Sequence, residues 1–356
     1  MTSIQALKRL SKALTLLLIT FLWLEISSRA YWRITAKIPL TAPGKIPLSF
    51  YPELEPVNRL RPSADDNYHD ILLLGGSVLN DQWGSVSNEL HQLLEKKQVT
   101  NIRIFNLAIP AHTSRDSLLK YKALKDHRFD QIIFYHGINE TRANNIPEHL
   151  FRTDYSHFDW YAIVNAMAKP DSNSLLALPF TLKYLNLLVH NHFSSHNRIP
   201  RHSPKKEWVH YGSAPKSASS IRANVKEIAQ TAAERGDKLA ITTFSLYIPK
   251  NYSLERFRAK RLDYQLHLTP LELWGHPAHV IAATKAHNKE LIDIAKKVQT
   301  IQLVRADQLM PKGAIYFNDP CHLTPSGSLE LAKILALNLY PKARHKASFQ
   351  PANAQQ

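Results

Sequence analysis

Five short apolar runs separated by helical patterns constrain this chain more than any other feature. They fall at residues 71–74, 102–105, 132–135, 239–244 and 301–304. Runs of this length suit buried parallel strands, which read as continuous hydrophobic stretches because both faces are covered. Amphipathic patterns at 85–97, 114–126, 217–235, 278–298 and 325–339 supply the crossovers. Strand–helix alternation of this kind predicts an α/β fold, a three-layer α/β/α sandwich around a mainly parallel five-stranded sheet. Sites in such sheets form in loops beyond the carboxyl ends of the strands. The residues that end each run are therefore the ones to read for chemistry.

Two connections leave that edge and are too long for simple turns, 141–215 and 245–277. Both are expected to be lids or substrate walls inserted into one domain covering 67–342. The first carries Phe151, Tyr155, Phe158, Trp160, Trp208 and Tyr211. It also holds an apolar stretch at 175–189, whose leucine spacing reads as a packed helix rather than a lipid-binding surface.

The N-terminus speaks to location. Lys8, Arg9 and Lys12 precede the run ALTLLLITFLWL at 13–24. Basic-then-apolar order is what the secretory machinery reads, so residues 1–12 are expected to be cytoplasmic and 13–30 to be a signal anchor. About a dozen uncharged residues fall short of the roughly 20 that a span needs, unless 26–30 extend the run and Glu25 lies near the far interface. Trp23, Tyr31 and Trp32 suit an interfacial belt. Ser28-Arg29-Ala30 also resembles a small-x-small cleavage site, which leaves cleavage after Ala30 as the alternative to a retained single-pass anchor. Either way the domain is expected outside the cytoplasm, in a periplasm. Six prolines between 33 and 66, in a stretch without periodicity, predict a stiff extended stalk at 31–66. The polar tail at 343–356 is expected to be disordered.

Lysine and arginine total 45 against 29 acidic residues, a formal charge of +16. Such a surface attracts anionic headgroups, acidic glycans or nucleic acid. The basic residues are scattered in short groups such as Lys205-Lys206, without zinc-finger or RNA-recognition spacing, so no nucleic-acid partner is expected. The single cysteine, Cys321, excludes an intramolecular disulfide. His190, His192, His196, His202 and His210 lack regular ligand spacing, and His276 and His279 lack an acidic third ligand. No metal and no cofactor are expected.

The strand ends carry the chemistry. The first run closes on Gly75-Gly76-Ser77, which sets a hydroxyl at the tip of a buried strand. A serine there is also an ordinary turn residue. The second leads into Asn106 through Ser114, and the third into Gly137-Ile138-Asn139-Glu140, so that amide donors gather at the same edge. Converging donors can hold the oxyanion of acyl transfer, although Asn139 would equally serve to pin a loop. Asp319-Pro320-Cys321-His322 stands just before the last helix, with Thr324 as its cap. An Asp three residues before a His can orient one ring nitrogen while the other faces a serine. Cys321 as nucleophile is disfavoured, because adjacent side chains point apart and no second base is evident.

Taken together these blocks resemble the SGNH/GDSL-like hydrolases over about residues 70–340, with both long connections outside the likeness. Gly75 to Ser77 matches the nucleophile block, with Gly76 where many members have aspartate. Gly137 to Glu140 matches Gly-x-Asn-Asp, and Asp319 to His322 matches Asp-x-x-His. Where the family usually has an oxyanion-hole glycine this chain has Ala111, which keeps the N–H provided no positive φ is needed. The resemblance implies Ser77, Asp319 and His322 as the catalytic residues, and Ser77, Ala111 and Asn139 as the oxyanion hole. A membrane-anchored esterase is the expectation, acting on an acyl group, acetyl above all, of an envelope glycan or lipid-linked sugar. An O-acyltransferase using the same site and a silent binding protein are the alternatives.

Overall fold

The computed structural model describes residues 3–63, 66–168, 175–193 and 197–341. Each of the five apolar runs is a strand: β1 (His69–Gly75), β2 (Ile102–Asn106), β3 (Gln131–Tyr135), β4 (Leu239–Thr242) and β5 (Gln302–Val304). All pair in parallel, in the order β2-β1-β3-β4-β5. The order reverses beside β1, so β1 and β3 lie side by side with their carboxyl ends flanking the switch point where such sheets place their sites. β4 ends two residues before the apolar run does. There the Phe244 backbone leaves the ladder and pairs through both its N–H and its C=O with the Asn288 side chain.

The chain before β1 forms helices α1 (Ser3–Ala36) and α2 (Glu55–Leu60). Helices α3 (Val86–Lys96), α4 (Ser114–Ala123), α5 (Asp159–Met167), α6 (Leu178–Phe193) and α7 (Ser217–Arg235) follow. The last four are α8 (Leu254–Arg258), α9 (Pro277–Lys297), α10 (Ala306–Leu309) and α11 (Pro325–Leu339). Side chains alternate across the sheet with the two-residue period of a strand. Ile71, Leu73 and Ile133 pack toward α3 and α11, whereas Leu72, Leu74, Ile132 and Phe134 pack toward α4, α7 and α9. The boundaries follow local chemistry. A Thr113–Asp116 capping box opens α4, and α7 stops at Gly236, whose φ of 74° is left-handed.

The extended stalk expected at 31–66 is not what forms. α1 continues through Ala36, and residues 43–60 turn back in short 3-10 helices and α2, burying Ile46, Tyr51, Leu54 and Val57 in the body of the domain. Pro43, Pro52 and Pro56 sit in first turns, where no backbone donor is missed. Three of the six prolines thus mark helix starts and Pro47 lies inside a 3-10 helix, so the segment is folded rather than extended. The tail at 343–356 lies outside the described residues.

Within α1, Gln5–Ala36 is long and apolar enough to cross a membrane. Its far end is packed on the domain: Trp32 is buried with Ile46, Met167, Ala177 and Phe180. Glu25 is buried too, and its carboxylate accepts the Ala177 and Leu178 amides at 2.9 and 2.8 Å and pairs with Arg29. α6 is a packed helix on one face only. Leu178 and Phe180 are buried, while Leu182, Leu185, Val189 and Phe193 are exposed.

Candidate active site

Ser77 follows directly on β1. Gly76 beside it is required by space: a Cβ there would lie 2.7 Å from Asn139 Nδ2. Gly137, at the end of β3, has the same reason, since its Cβ would stand 2.3 Å from that of Phe244. Gly76 lets Asn139 close against the Ser77 turn, and Gly137 lets the end of β3 close against Phe244.

His322 reaches this point from a loop closed by a Phe317–Leu323 bridge and by the Thr324 cap of α11. Its Nε2 lies 2.8 Å from Ser77 Oγ, and its Nδ1 lies 2.6 Å from Asp319 Oδ2. A carboxylate facing Nδ1 only accepts, so Nδ1 carries the proton and Nε2 is left to accept from the hydroxyl. Asp319 is fully buried and accepts three backbone amides besides: Cys321 and His322 at Oδ1, and Thr269 at Oδ2. Those donors fix the carboxylate plane. Trp83 covers the outer side of the imidazole, ring centroids 4.4 Å apart and 30° between planes.

Asn139 is held from both ends. Its Oδ1 accepts from Trp274 Nε1 at 3.0 Å, and its Nδ2 donates to the His112 carbonyl at 2.9 Å. The amide orientation is therefore determined, and one Nδ2 hydrogen remains for the Ser77 side. Among the described residues neither the Ser77 N–H nor the Ala111 N–H has an acceptor. Ala111 adjoins His112, whose carbonyl holds the Asn139 amide, so these donors belong to one neighbourhood.

Ala111 departs from expectation in one respect. Its φ is 66°, the left-handed region that costs a Cβ-bearing residue roughly 1–2 kcal/mol. The proviso attached to alanine at this place is not met, and the strain is held by a neighbour. Arg142, itself buried, donates from Nη2 to the Ala111 carbonyl at 2.7 Å, with Nε 3.5 Å from the Asn139 carbonyl. Burial lowers the Arg142 pKa to about 10, with nearby Tyr161, Glu140 and Asp116 opposing, so it stays charged at neutral pH.

Glu140, the fourth residue of its block, turns away from Ser77. It accepts from the Ser114 amide at the start of α4 and from Tyr155 Oη. Burial raises its pKa to about 7. Cys321 is buried with Sγ 3.7 Å from His322 Nδ1, the nitrogen already engaged by Asp319, and burial pushes the thiol well up. Among the described residues one group has metal-compatible spacing, Asp319, Cys321 and His322, and its ligand atoms are those of the relay just described.

Thr269, Trp274, Arg142 and Trp83 were not singled out from sequence. Thr269 and Trp274 come from the 245–277 connection, which buttresses the relay and the Asn139 amide rather than only walling the site. A tryptophan late in a loop leaving the sheet's carboxyl edge was the available signal.

A parallel α/β/α sandwich with a Ser–His–Asp hydrogen-bond relay at its switch point defines the class of this protein by geometry alone. No protein-family model matches the sequence, and no curated protein matches it. The chain is similar to several solved structures. A GDSL-like lipase from Bacteroides thetaiotaomicron superposes with a TM-score of 0.43 at 12% identity, covering 80% of this chain and 96% of that one. A putative acylhydrolase from Bacteroides fragilis gives 0.43 at 12%, covering 82% and 96%. An acetylxylan esterase from Geobacillus stearothermophilus gives 0.40 at 13%, covering 80% and 98%. The likeness is distant in sequence and in superposition, so what those proteins act on remains theirs.

Proposed function

We propose that this chain is a membrane-anchored serine esterase that removes a short acyl group, acetyl above all, from an envelope glycan or a lipid-linked sugar. The observation that carries the reading is the unbroken relay Ser77 Oγ, His322 Nε2, His322 Nδ1, Asp319 Oδ2, at 2.8 and 2.6 Å, beside free amide donors. His322 takes the proton as Ser77 Oγ attacks the ester carbonyl, and Asp319 supports the imidazolium that forms. Ser77 N–H, Ala111 N–H and Asn139 Nδ2 receive the developing oxyanion. The leaving alcohol takes its proton from His322, and water resolves the acyl-enzyme by the same route.

A short acyl group is supported by the space behind Ser77. The cavity bounded by Gly76, Gly137, Asn139 and Phe244 is about 10 Å³, room for roughly one water-sized group. The glycan or lipid-linked acceptor is supported by the N-terminal segment, which would hold the domain at the envelope face of a membrane, and by the net charge of +16.

Labelling of the full-length chain by a fluorophosphonate, together with acetate release from p-nitrophenyl acetate, tests the nucleophile. Both activities are expected in the parent and neither in Ser77→Ala. A folded parent that does neither would point to a binding protein. Adding a sugar acceptor to the same assay separates the hydrolase from an O-acyltransferase, which would yield acetylated sugar instead of free acetate.

A further inference from the structure

Helix α6 presents apolar residues to two sides, and the described residues cover only one of them. Its exposed residues change along its length: Pro179, Leu182 and Leu185 come first, while the second half mixes the polar Asn186, His190 and His192 with Leu188, Val189 and Phe193. Leu175 and Leu176, just ahead of it, are exposed as well. Lys183 is partly covered, and its stem is long enough to carry the ammonium to a polar boundary.

Depth along α1 says what lies beside that face. From Ala13, the first residue past Lys12, a hydrocarbon layer about 30 Å thick is filled by about 20 residues and ends near Trp32. Glu25 then sits roughly 10 Å inside the far boundary. Glu25 and Arg29 are the two charged residues between 13 and 32; they pair with each other, and Glu25 also accepts the first amides of α6. The start of α6 therefore shares the depth of Glu25. The two helices run in the same direction, since Glu25 meets Ala177 and Leu178 whereas Trp32 meets Thr181 and Tyr184. Leu175, Leu176 and Leu182 fall at hydrocarbon depth, Leu185 falls at the boundary that Trp32 and Tyr184 mark, and the residues from Asn186 onward lie beyond it.

Resting on the reading of α1 as a membrane span, we propose that the first half of α6, with Leu175 and Leu176, inserts beside α1 into the outer leaflet. The chain is then mounted by a helix pair, with lipid acyl chains as the occupant of the exposed α6 face.

The test places a single environment-sensitive fluorophore on cysteines introduced by Leu182→Cys, Leu16→Cys and Lys226→Cys in the full-length chain. Cys321, buried, gives the unlabelled background. Proteins are reconstituted in phosphatidylcholine–phosphatidylglycerol vesicles containing acyl-chain nitroxide lipids. Quenching at 182 comparable to that at 16, and at least several-fold above that at 226, is the expected result. Quenching at 16 but not at 182 would overturn the α6 proposal and leave the anchor standing. A blue-shifted but unquenched probe at 182 would also overturn it, pointing to a second copy of the chain on that face. Absence of quenching at 16 would remove the anchor reading and the proposal with it.

Discussion

Replacing Arg142 by methionine tests how the proposed oxyanion hole is held. The guanidinium Nη2 is 2.7 Å from the carbonyl of Ala111, a residue at φ 66°. Losing that charge-assisted bond leaves a partly buried carbonyl without its donor, a cost at the low end of about 1–3 kcal/mol. The left-handed alanine adds roughly 1–2 kcal/mol of its own, which the freed backbone would relieve by returning to negative φ. That rotation turns the Ala111 N–H away from the oxyanion, and loss of one donor lowers kcat by about 10²–10³. Glycine carries no such strain, so Ala111→Gly in the Arg142→Met background should restore about 5- to 30-fold, the rate equivalent of 1–2 kcal/mol. In the parent the same change removes the strain but adds about 0.5–1 kcal/mol of unfolded-state entropy, for a net gain of about 0.5–1 kcal/mol. The assay is p-nitrophenyl acetate hydrolysis by the four proteins of the cycle, with kcat and KM separated. A merely structural role would lower the active fraction and leave the cycle additive. Arg142→Met retaining kcat within about threefold, or a double variant no faster than Arg142→Met, would refute the clamp.

Other consequences are measurable. Burial raises the Glu140 pKa to about 7 from an ordinary value near 4.5, so its contribution to stability is full below about 4.5 and lost as pH rises through 7. Glu140→Gln should flatten that part of the pH dependence of Tm, and an unchanged slope would contradict it. Gly76→Ala places a Cβ 2.7 Å from Asn139 Nδ2 and should cut kcat by about 10² with KM less affected, because the displaced donor acts in the transition state. Cys321→Ala should keep kcat within about twofold, and iodoacetamide should leave the native protein active at pH 7, since the thiol is buried and un-ionised; inactivation would revive a cysteine nucleophile. Glu25→Ala removes the acceptor for the first amides of α6 and should lower stability by about 1 kcal/mol, read as a drop in Tm of the detergent-solubilised protein.

The sheet was legible because its strands are buried on both faces and announce themselves as unbroken apolar runs. The residues gathered near Ser77 were legible because small-residue turns and paired polar blocks sit where those runs end. Ala111 shows where such reading stops, since φ depends on how the loop closes and on Arg142, thirty-one positions away. Thr269 and Trp274 come from a loop without periodicity, and only the folded chain shows that they point at Asp319 and Asn139. The prolines between 39 and 62 suited a stiff tether and helix first turns equally well, and tertiary burial of Tyr51, Leu54 and Val57 decided for the latter. The 175–189 stretch carried two apolar faces, and spacing alone does not say that the described residues cover just one of them.

The cluster of Trp32, Ile46, Met167, Ala177 and Phe180 joins the end of α1 to the body of the domain without an intervening linker. An enzyme on a flexible tether sweeps a volume and samples substrates at many heights above its bilayer. Mounted on α1 as proposed, this one turns about a fixed axis, and Ser77 travels in a plane at constant altitude. Its encounters become two-dimensional, and substrate choice includes a ruler: an ester is cut only if its carrier presents it at that height.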